Sequence, residues 1–89
     1  MKHTFEISEL IKKNVEVELP AFRKGYSTKY LILDERTVAM FDNDGKSMKF
    51  SNSPEVWLSG TEESTREEFL ETFNLYKENF ERIIKTINQ

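Results

Sequence analysis

The last third of the chain places apolar side chains at a spacing of four, three, four, three and four residues. These side chains are Phe69, Phe73, Tyr76, Phe80, Ile83 and Ile87. Only an α-helix brings positions with this spacing to one side, so the pattern predicts a long C-terminal helix. Four of the six side chains are aromatic, which requires a broad apolar partner such as the face of a sheet or a second copy of the helix. We expect packing on a sheet, with a coiled-coil seam or a cavity for an apolar ligand as the alternatives.

The residues before this stripe predict where the helix begins. Ser64 and Glu67 match the S-x-x-E pattern of a capping box, in which each side chain bonds the backbone of the other residue. The glutamates between Glu62 and Glu71 suit the positive end of the helix dipole. We therefore expect the helix to start at Thr61 or Ser64.

Turn signals recur about every ten residues between positions 15 and 50, at Lys24-Gly25, Asp34-Glu35 and Asp44-Gly45. This layout is typical of an antiparallel meander. Asp44-Gly45 is the strongest of the three signals, because a tight hairpin turn needs positive φ at both central residues and Asp-Gly tolerates this well.

Two-residue turns at these sites would define the strand register. They pair Phe41 with Met48, Tyr30 with Ala39, and Leu19 with Tyr30. The three hairpins then agree on one core face, whose members are Val15, Val17, Leu19, Tyr30, Ile32, Ala39, Phe41, Met48 and Phe50.

Together these patterns predict an α+β fold. It consists of an antiparallel four- or five-stranded β-meander, a short N-terminal helix and a long C-terminal helix packed on one face. The fifth strand would be Val56 to Leu58, with Trp57 beside Phe50 on the core face. A chain of 89 residues is expected to form a single domain, residues 1–89.

The opposite face of the predicted sheet carries a second apolar group. Its members are Leu31, Leu33, Val38 and Met40. A group of this size needs a cover, so we predict that it forms an interaction surface unless the chain covers it internally. The N-terminal segment from Phe5 to Lys13 is the internal candidate, because Ile7, Leu10 and Ile11 have helical spacing.

Residue types that carry catalysis or bind metals are sparse. The chain has no cysteine, its single histidine is His3, and its three glycines are isolated. These facts argue against cysteine or histidine metal sites, histidine-dependent triads and phosphate-binding glycine loops. The segment from Asp42 to Gly45 resembles the start of a calcium loop but lacks the later ligands, and the pair Glu67 and Glu71 matches a solvated helix face. We expect no enzyme activity, no metal and no cofactor.

The predicted first hairpin tip, Phe22 to Tyr30, interleaves cations with aromatic rings as single-strand nucleic-acid binders do. In that case Arg23, Lys24 and Lys29 would contact phosphates and Tyr26 would stack on a base. The net charge of −3 disfavours binding to phosphates in general. Nucleic-acid binding is therefore the alternative function.

The composition favours a folded protein, since 37% apolar and 33% charged residues with a net charge of −3 do not match the signature of disorder. No apolar run is long enough to span a bilayer and the start does not resemble a signal peptide, so we expect a cytoplasmic protein without membrane contact. Nine lysines against four arginines are typical of an AT-rich bacterial or phage genome. The leading hypothesis is a non-enzymatic protein–protein interaction module or small regulatory homodimer, whose partner is itself or a larger protein.

Overall fold

The computed structural model describes residues 1–8 and 12–89, and these residues form seven strands and two helices. In chain order they are β1 (Lys2–Ile7), β2 (Lys13–Glu18), β3 (Ala21–Lys24), β4 (Thr28–Asp34), β5 (Thr37–Asp42), β6 (Met48–Ser51), α1 (Pro54–Leu58), β7 (Glu62–Glu63) and α2 (Arg66–Ile87).

Five of the strands form one antiparallel sheet in the order β6-β5-β4-β3-β7, and β1 and β2 form a separate two-stranded ribbon. The long helix α2 packs on one face of the five-stranded sheet. The ribbon and α1 pack on the other face. The predicted α+β class, the antiparallel sheet and the long C-terminal helix are thus confirmed.

The helix side of the sheet has a core built around one ring. Phe41 on β5 makes edge-to-face contacts with Phe69, Phe73 and Tyr76 of α2, at centroid distances of 5.5, 5.6 and 5.1 Å. Edge-to-face geometry places the positive edge of one ring against the negative face of the next. This aromatic cluster joins the first half of α2 to the sheet.

The core on the other face of the sheet, the ribbon side, is larger. The sheet, the ribbon and α1 all contribute to it. Its buried members are Phe5, Ile7, Leu19, Tyr30, Ile32, Val38, Met40 and Leu58. Trp57 of α1 stacks on Tyr30 at a centroid distance of 5.5 Å. Both faces of the sheet are therefore covered over at least part of their area.

The prediction of a short N-terminal helix from Phe5 to Lys13 is wrong. The chain instead forms β1, which pairs with β2 in the register of Phe5 opposite Val15 and Ile7 opposite Lys13. Phe5 and Ile7 are buried while Thr4 and Glu6 are exposed, which is the two-residue alternation of a strand. Leu10 and Ile11, which completed the helical spacing, lie outside the described residues.

The predicted pairing of Leu19 with Tyr30 is also wrong. Pro20 follows a cis peptide bond and separates β2 from β3, and β3 pairs with β4 so that Arg23 lies opposite Tyr30. Proline has no N–H to donate to a ladder, so a single continuous strand through this position is disfavoured. The predicted strand becomes two strands that belong to different sheets.

The register at the second turn is shifted by one residue. Leu31, not Tyr30, lies opposite Ala39, because the ladder is irregular between Ile32 and Asp34. A one-residue shift moves every side chain to the other face. By contrast, the register at Asp44-Gly45 is confirmed, since Phe41 pairs with Met48 and Ala39 with Phe50.

The predicted fifth strand at Val56 to Leu58 is wrong because this segment belongs to α1. Pro54 occupies the first turn of α1, where its fixed φ suits a helix and its missing N–H is not needed. Trp57 consequently stacks on Tyr30 from α1 and does not belong to a strand of the sheet. The fifth strand of the sheet is the two-residue β7, which pairs with β3.

The N-terminal cap of α2 lies one residue later than predicted from Ser64. The Thr65 hydroxyl accepts a hydrogen bond from the Glu68 N–H at 3.1 Å, and the Thr65 N–H donates to the Glu68 carboxylate at 3.3 Å. Both Ser64 and Thr65 have a glutamate three residues later. Ser64 stays extended because its N–H donates to the Phe22 carbonyl on β3 at 3.0 Å, which leaves Thr65 to cap the helix.

Candidate functional site

The first half of α2 is bonded to successive strands of the sheet. Glu68 pairs with Lys24 on β3 at 2.7 Å, and Thr72 accepts a hydrogen bond from Lys29 on β4 at 3.5 Å. One turn further along, the Tyr76 hydroxyl donates to the Asp42 carbonyl at the end of β5 at 2.7 Å. The helix therefore runs across the strands, from β3 toward the edge strand β6.

Tyr76 links α2 by hydrogen bonds to the turn that joins β5 and β6. Its hydroxyl accepts from the Ser47 N–H at 3.1 Å, besides lying 2.7 Å from the Asp42 carbonyl. Burial raises the pKa of the Tyr76 hydroxyl, since the charged form would lose its hydration. Gly45, in the same turn, has φ of +77°, and a Cβ there would lie 3.0 Å from the Leu75 Cβ, so glycine lets the turn approach the helix.

The ion pair between Lys24 and Glu68 attaches the first turn of α2 to β3. The hydrogen bond between the two side chains raises the pKa of Lys24 and lowers that of Glu68. Because Glu68 is also the acceptor in the capping box, its carboxylate ties the helix start both to its own backbone and to the sheet. The first turn of α2 is thus held at a defined position.

The second half of α2 has a different environment. Within the described residues, the last hydrogen bond from α2 to the rest of the chain runs from the Asn79 side chain to the Gly45 carbonyl, at 3.3 Å. Beyond this point Phe80, Ile83, Ile84 and Ile87 are 39%, 54%, 57% and 73% exposed, whereas Phe69 and Tyr76 are each 3% exposed. We call Phe80, Ile83, Ile84 and Ile87 the exposed face.

The exposed face points to the same side of the helix as the buried half of the stripe. Ile87 follows Phe69 by 18 residues, which is about five turns at roughly 3.6 residues per turn. The two side chains therefore project in the same direction, one onto the sheet and the other past its edge. The radius of gyration, 14.7 Å, exceeds the roughly 12 Å typical of a compact chain of this length, in keeping with a projecting helix end.

The structure does not bring together the residues predicted as an interaction surface. Val38 and Met40 are buried in the ribbon-side core, whereas Leu31 is partly buried on the helix side. Leu33, at the irregularity in β4, is 43% exposed. The one-residue shift at the second turn separates these four side chains, because it moves Leu31 to the face opposite Val38.

The cations predicted to bind nucleic acid are engaged within the chain. The Arg23 guanidinium donates to the Thr61 carbonyl at 2.6 Å and to the Leu58 carbonyl at 3.3 Å. Lys24 is paired with Glu68, and Lys29 donates to the Asn43 side chain at 3.1 Å. Tyr26 alone of the four predicted contacts is fully exposed. These cations hold α2 and the 58–61 segment to the sheet.

The part of the chain that the structure describes contains no group of three or more histidine, cysteine, aspartate or glutamate side chains placed to hold a metal ion. Within the same residues, no helix combines the length and apolar character needed to cross a membrane. Among the described residues, α2 carries more exposed large apolar side chains than any other element, and most of them form the exposed face.

The sequence contains a signal for this face, which is the length of the apolar stripe compared with the width of the predicted sheet. From Phe69 to Ile87 the stripe is about 27 Å long at roughly 1.5 Å per residue. A sheet of five strands is only about 19 Å wide at roughly 4.8 Å per strand. A helix that crosses such a sheet must extend past its edge, and comparing the two lengths would have predicted an uncovered end.

Comparison with known proteins adds no constraint on function: no protein-family model, curated protein or solved structure matches the chain.

Proposed function

We propose that this protein is a non-enzymatic protein–protein interaction module that self-associates through the exposed face of α2. The observation that carries the proposal is the contrast along one stripe, since Phe69 is 3% exposed and Ile87 is 73% exposed although they project in the same direction. Apolar side chains that continue a buried stripe but lie in solvent are typical of a protein interface.

A second copy is the partner that the residues around this face favour. Asn79, Thr86 and Asn88 flank the exposed face without charge, and the charged residues beside it, Lys77 and Glu81, have opposite signs, so two copies can meet without a row of like charges. A two-fold interface requires only that one surface be complementary to itself, and four flexible or branched apolar side chains meet that condition readily.

The energetics favour a weak, concentration-dependent dimer. Each side chain of the exposed face is about half exposed, so burying it would contribute roughly 1 kcal/mol, and the eight side chains of a dimer about 8 kcal/mol. The loss of translational and rotational freedom costs about 4–15 kcal/mol. With the lowest of these costs the net gain is about 4 kcal/mol, so we expect a dissociation constant of about 1 mM or weaker and a dimer that forms only at high protein concentration.

Light scattering coupled to size-exclusion chromatography tests the proposal over a series of loading concentrations. The molar mass should rise from 10.6 kDa toward twice that value as the concentration increases. Ile83→Glu should keep the protein monomeric at every concentration, because a carboxylate would be buried in the interface. Lys85→Glu is the matched control, since it adds a carboxylate about 200° around the helix from Ile83, on the side away from the exposed face, and should leave dimerisation unchanged.

Circular dichroism of both variants should match that of the wild type, because residues 83 and 85 lie outside the two cores. A wild-type protein that remains a monomer at the highest concentration would refute the proposal. Nucleic-acid binding through Phe22 to Tyr30 has less support, since Arg23, Lys24 and Lys29 all make contacts within the chain.

A further inference from the structure

Resting on the proposed self-association, we infer that two copies pair the exposed halves of their α2 helices antiparallel, over residues 79–87. The pairing would centre near Ile83. The partner at this site is thus a second copy in one defined orientation, with the two folded bodies at opposite ends of the helix pair.

The position of the sheet excludes the parallel orientation. The sheet covers Phe69 and Tyr76 on the same side of α2 that carries the exposed face. A parallel partner helix lying along Ile83 and Ile87 would run back along this side and enter the space that the sheet already occupies. An antiparallel partner runs the other way, so its N-terminal half continues beyond the C-terminal end of the first helix.

The length of the exposed half of α2 determines how far the two helices can lie side by side. Asn79 is still hydrogen-bonded to the Gly45 carbonyl, so a partner cannot approach much beyond this level without displacing the turn. Residues 79–87, from this level to the end of α2, span about 12 Å at roughly 1.5 Å per residue. An antiparallel copy centred near Ile83 overlaps this whole span and ends where the contact with the turn begins.

The charge next to the turn also fits the antiparallel orientation. Lys77 would lie level with the C-terminal end of the partner helix, where the helix dipole is negative. In a parallel pair, Lys77 would lie level with the same residue of the other copy and far from the negative end of the partner helix. The antiparallel arrangement therefore adds an attraction at both ends of the interface.

The resulting dimer would be an elongated particle with two heads. The starts of the two α2 helices would be about 50 Å apart, from 17 residues on each side of the centre at roughly 1.5 Å per residue. Because each body lies on the stripe side of its own helix, the two bodies would lie on opposite sides of the helix pair. Any other surface of the folded part of the chain would then occur twice in the dimer, once at each end.

Pulsed electron paramagnetic resonance on spin-labelled protein tests the orientation. The chain has no cysteine, so a single introduced cysteine takes a single label. Arg66→Cys, at the exposed start of α2, should give a distance between copies of about 50 Å. Glu81→Cys, near the centre of the overlap, should give a distance below about 25 Å. The molar mass of each labelled sample is measured at the same concentration.

The outcomes separate this inference from the proposed function. A short distance at position 66 in a dimeric sample would mean parallel helices and would overturn the inference while self-association stands. A long distance at position 81 in a dimeric sample would overturn both this inference and the proposed role of the exposed face, since the helices would not be paired. In that case the partner would occupy another exposed apolar site, such as Phe50 on the edge strand β6. A monomeric mass for the unlabelled protein at every concentration would remove both claims.

Discussion

The two halves of α2 carry the same apolar stripe, but they have different surroundings. In the first half, Phe69 and Tyr76 lie in an aromatic core with Phe41. Glu68, Thr72 and Tyr76 of this half bond to β3, β4 and the end of β5. In the second half, Ile83 and Ile87 face solvent. The amino-acid pattern is therefore evidence for a helix with one apolar side, but the width of the sheet decides how much of that side is covered.

This comparison assigns different roles to the two halves. Side chains in the first half should determine the stability of the monomer, whereas side chains in the second half should determine association. Substitutions that are chemically identical but lie in different halves can separate the two roles.

The largest expected difference is between two phenylalanine-to-alanine variants. Phe69→Ala removes a buried ring next to Phe41 and should lower the free energy of unfolding by about 3–5 kcal/mol. Phe80→Ala, at a position 39% exposed, should lower it by less than about 1 kcal/mol when measured at low concentration. Chemical denaturation followed by circular dichroism measures both. Equal losses would mean that the exposed half is covered within the monomer in solution.

A smaller effect is expected at the polar link between α2 and the turn. Tyr76→Phe removes the hydroxyl that bonds the Asp42 carbonyl and the Ser47 N–H, and should cost about 1–2 kcal/mol. Tyr26→Phe is the control, because the Tyr26 side chain is fully exposed and should change the free energy of unfolding little. Hydrogen exchange at the Ser47 amide should accelerate in the first variant alone, and an unchanged rate would contradict the role assigned to this hydroxyl.

The pH dependence of stability gives a second measure of the same link. Burial raises the pKa of Tyr76, so in alkaline solution the unfolded chain loses the proton at a lower pH than the folded chain. The stabilisation by the neutral hydroxyl is complete below a pH of about 10, the pKa of an unperturbed tyrosine, and is lost as the pH rises further. The free energy of unfolding should decrease less steeply above that pH in Tyr76→Phe than in the wild type.

The smallest expected effect is at the start of α2. Thr65→Ala removes the side chain that accepts the Glu68 N–H and should cost about 1 kcal/mol. Ser64→Ala tests the cap predicted from the sequence and should cost clearly less, since the Ser64 hydroxyl makes only a 3.4 Å contact with the Thr65 carbonyl. If Ser64→Ala costs more than Thr65→Ala in thermal denaturation, the helix begins at the residue predicted from the sequence.

The errors in the predicted fold come from places where two local patterns compete. Ile7 fits a helical spacing with Leu10 and Ile11, but it also alternates with Phe5 as in a strand, and only pairing with β2 decides between the two. Likewise, Ser64 and Thr65 each begin a capping pattern, and the hydrogen bond from Ser64 to Phe22 decides which residue caps the helix. Short segments do not contain this information, because the deciding partner is distant in sequence.

The candidate site was predicted in part. The stripe that includes Phe80, Ile83 and Ile87 was recognised from its spacing, and a second copy of the helix was one of its expected partners. The interaction surface proposed around Val38 and Met40 was placed by a register that the irregularity at Leu33 shifts by one residue. Turn signals locate a hairpin, but they do not specify a one-residue shift that reverses the faces of a strand.

By itself, the sequence determined α2 and its apolar side, the α+β class and the register of the hairpin at Asp44-Gly45, because local spacing and turn chemistry are sufficient for these features. The tertiary structure alone decided that the N-terminal segment forms a ribbon over the second face of the sheet, and that the stripe of α2 changes from buried to exposed after Asn79. The physical reason is that burial depends on which distant surface reaches a side chain, and the sheet ends before the helix does.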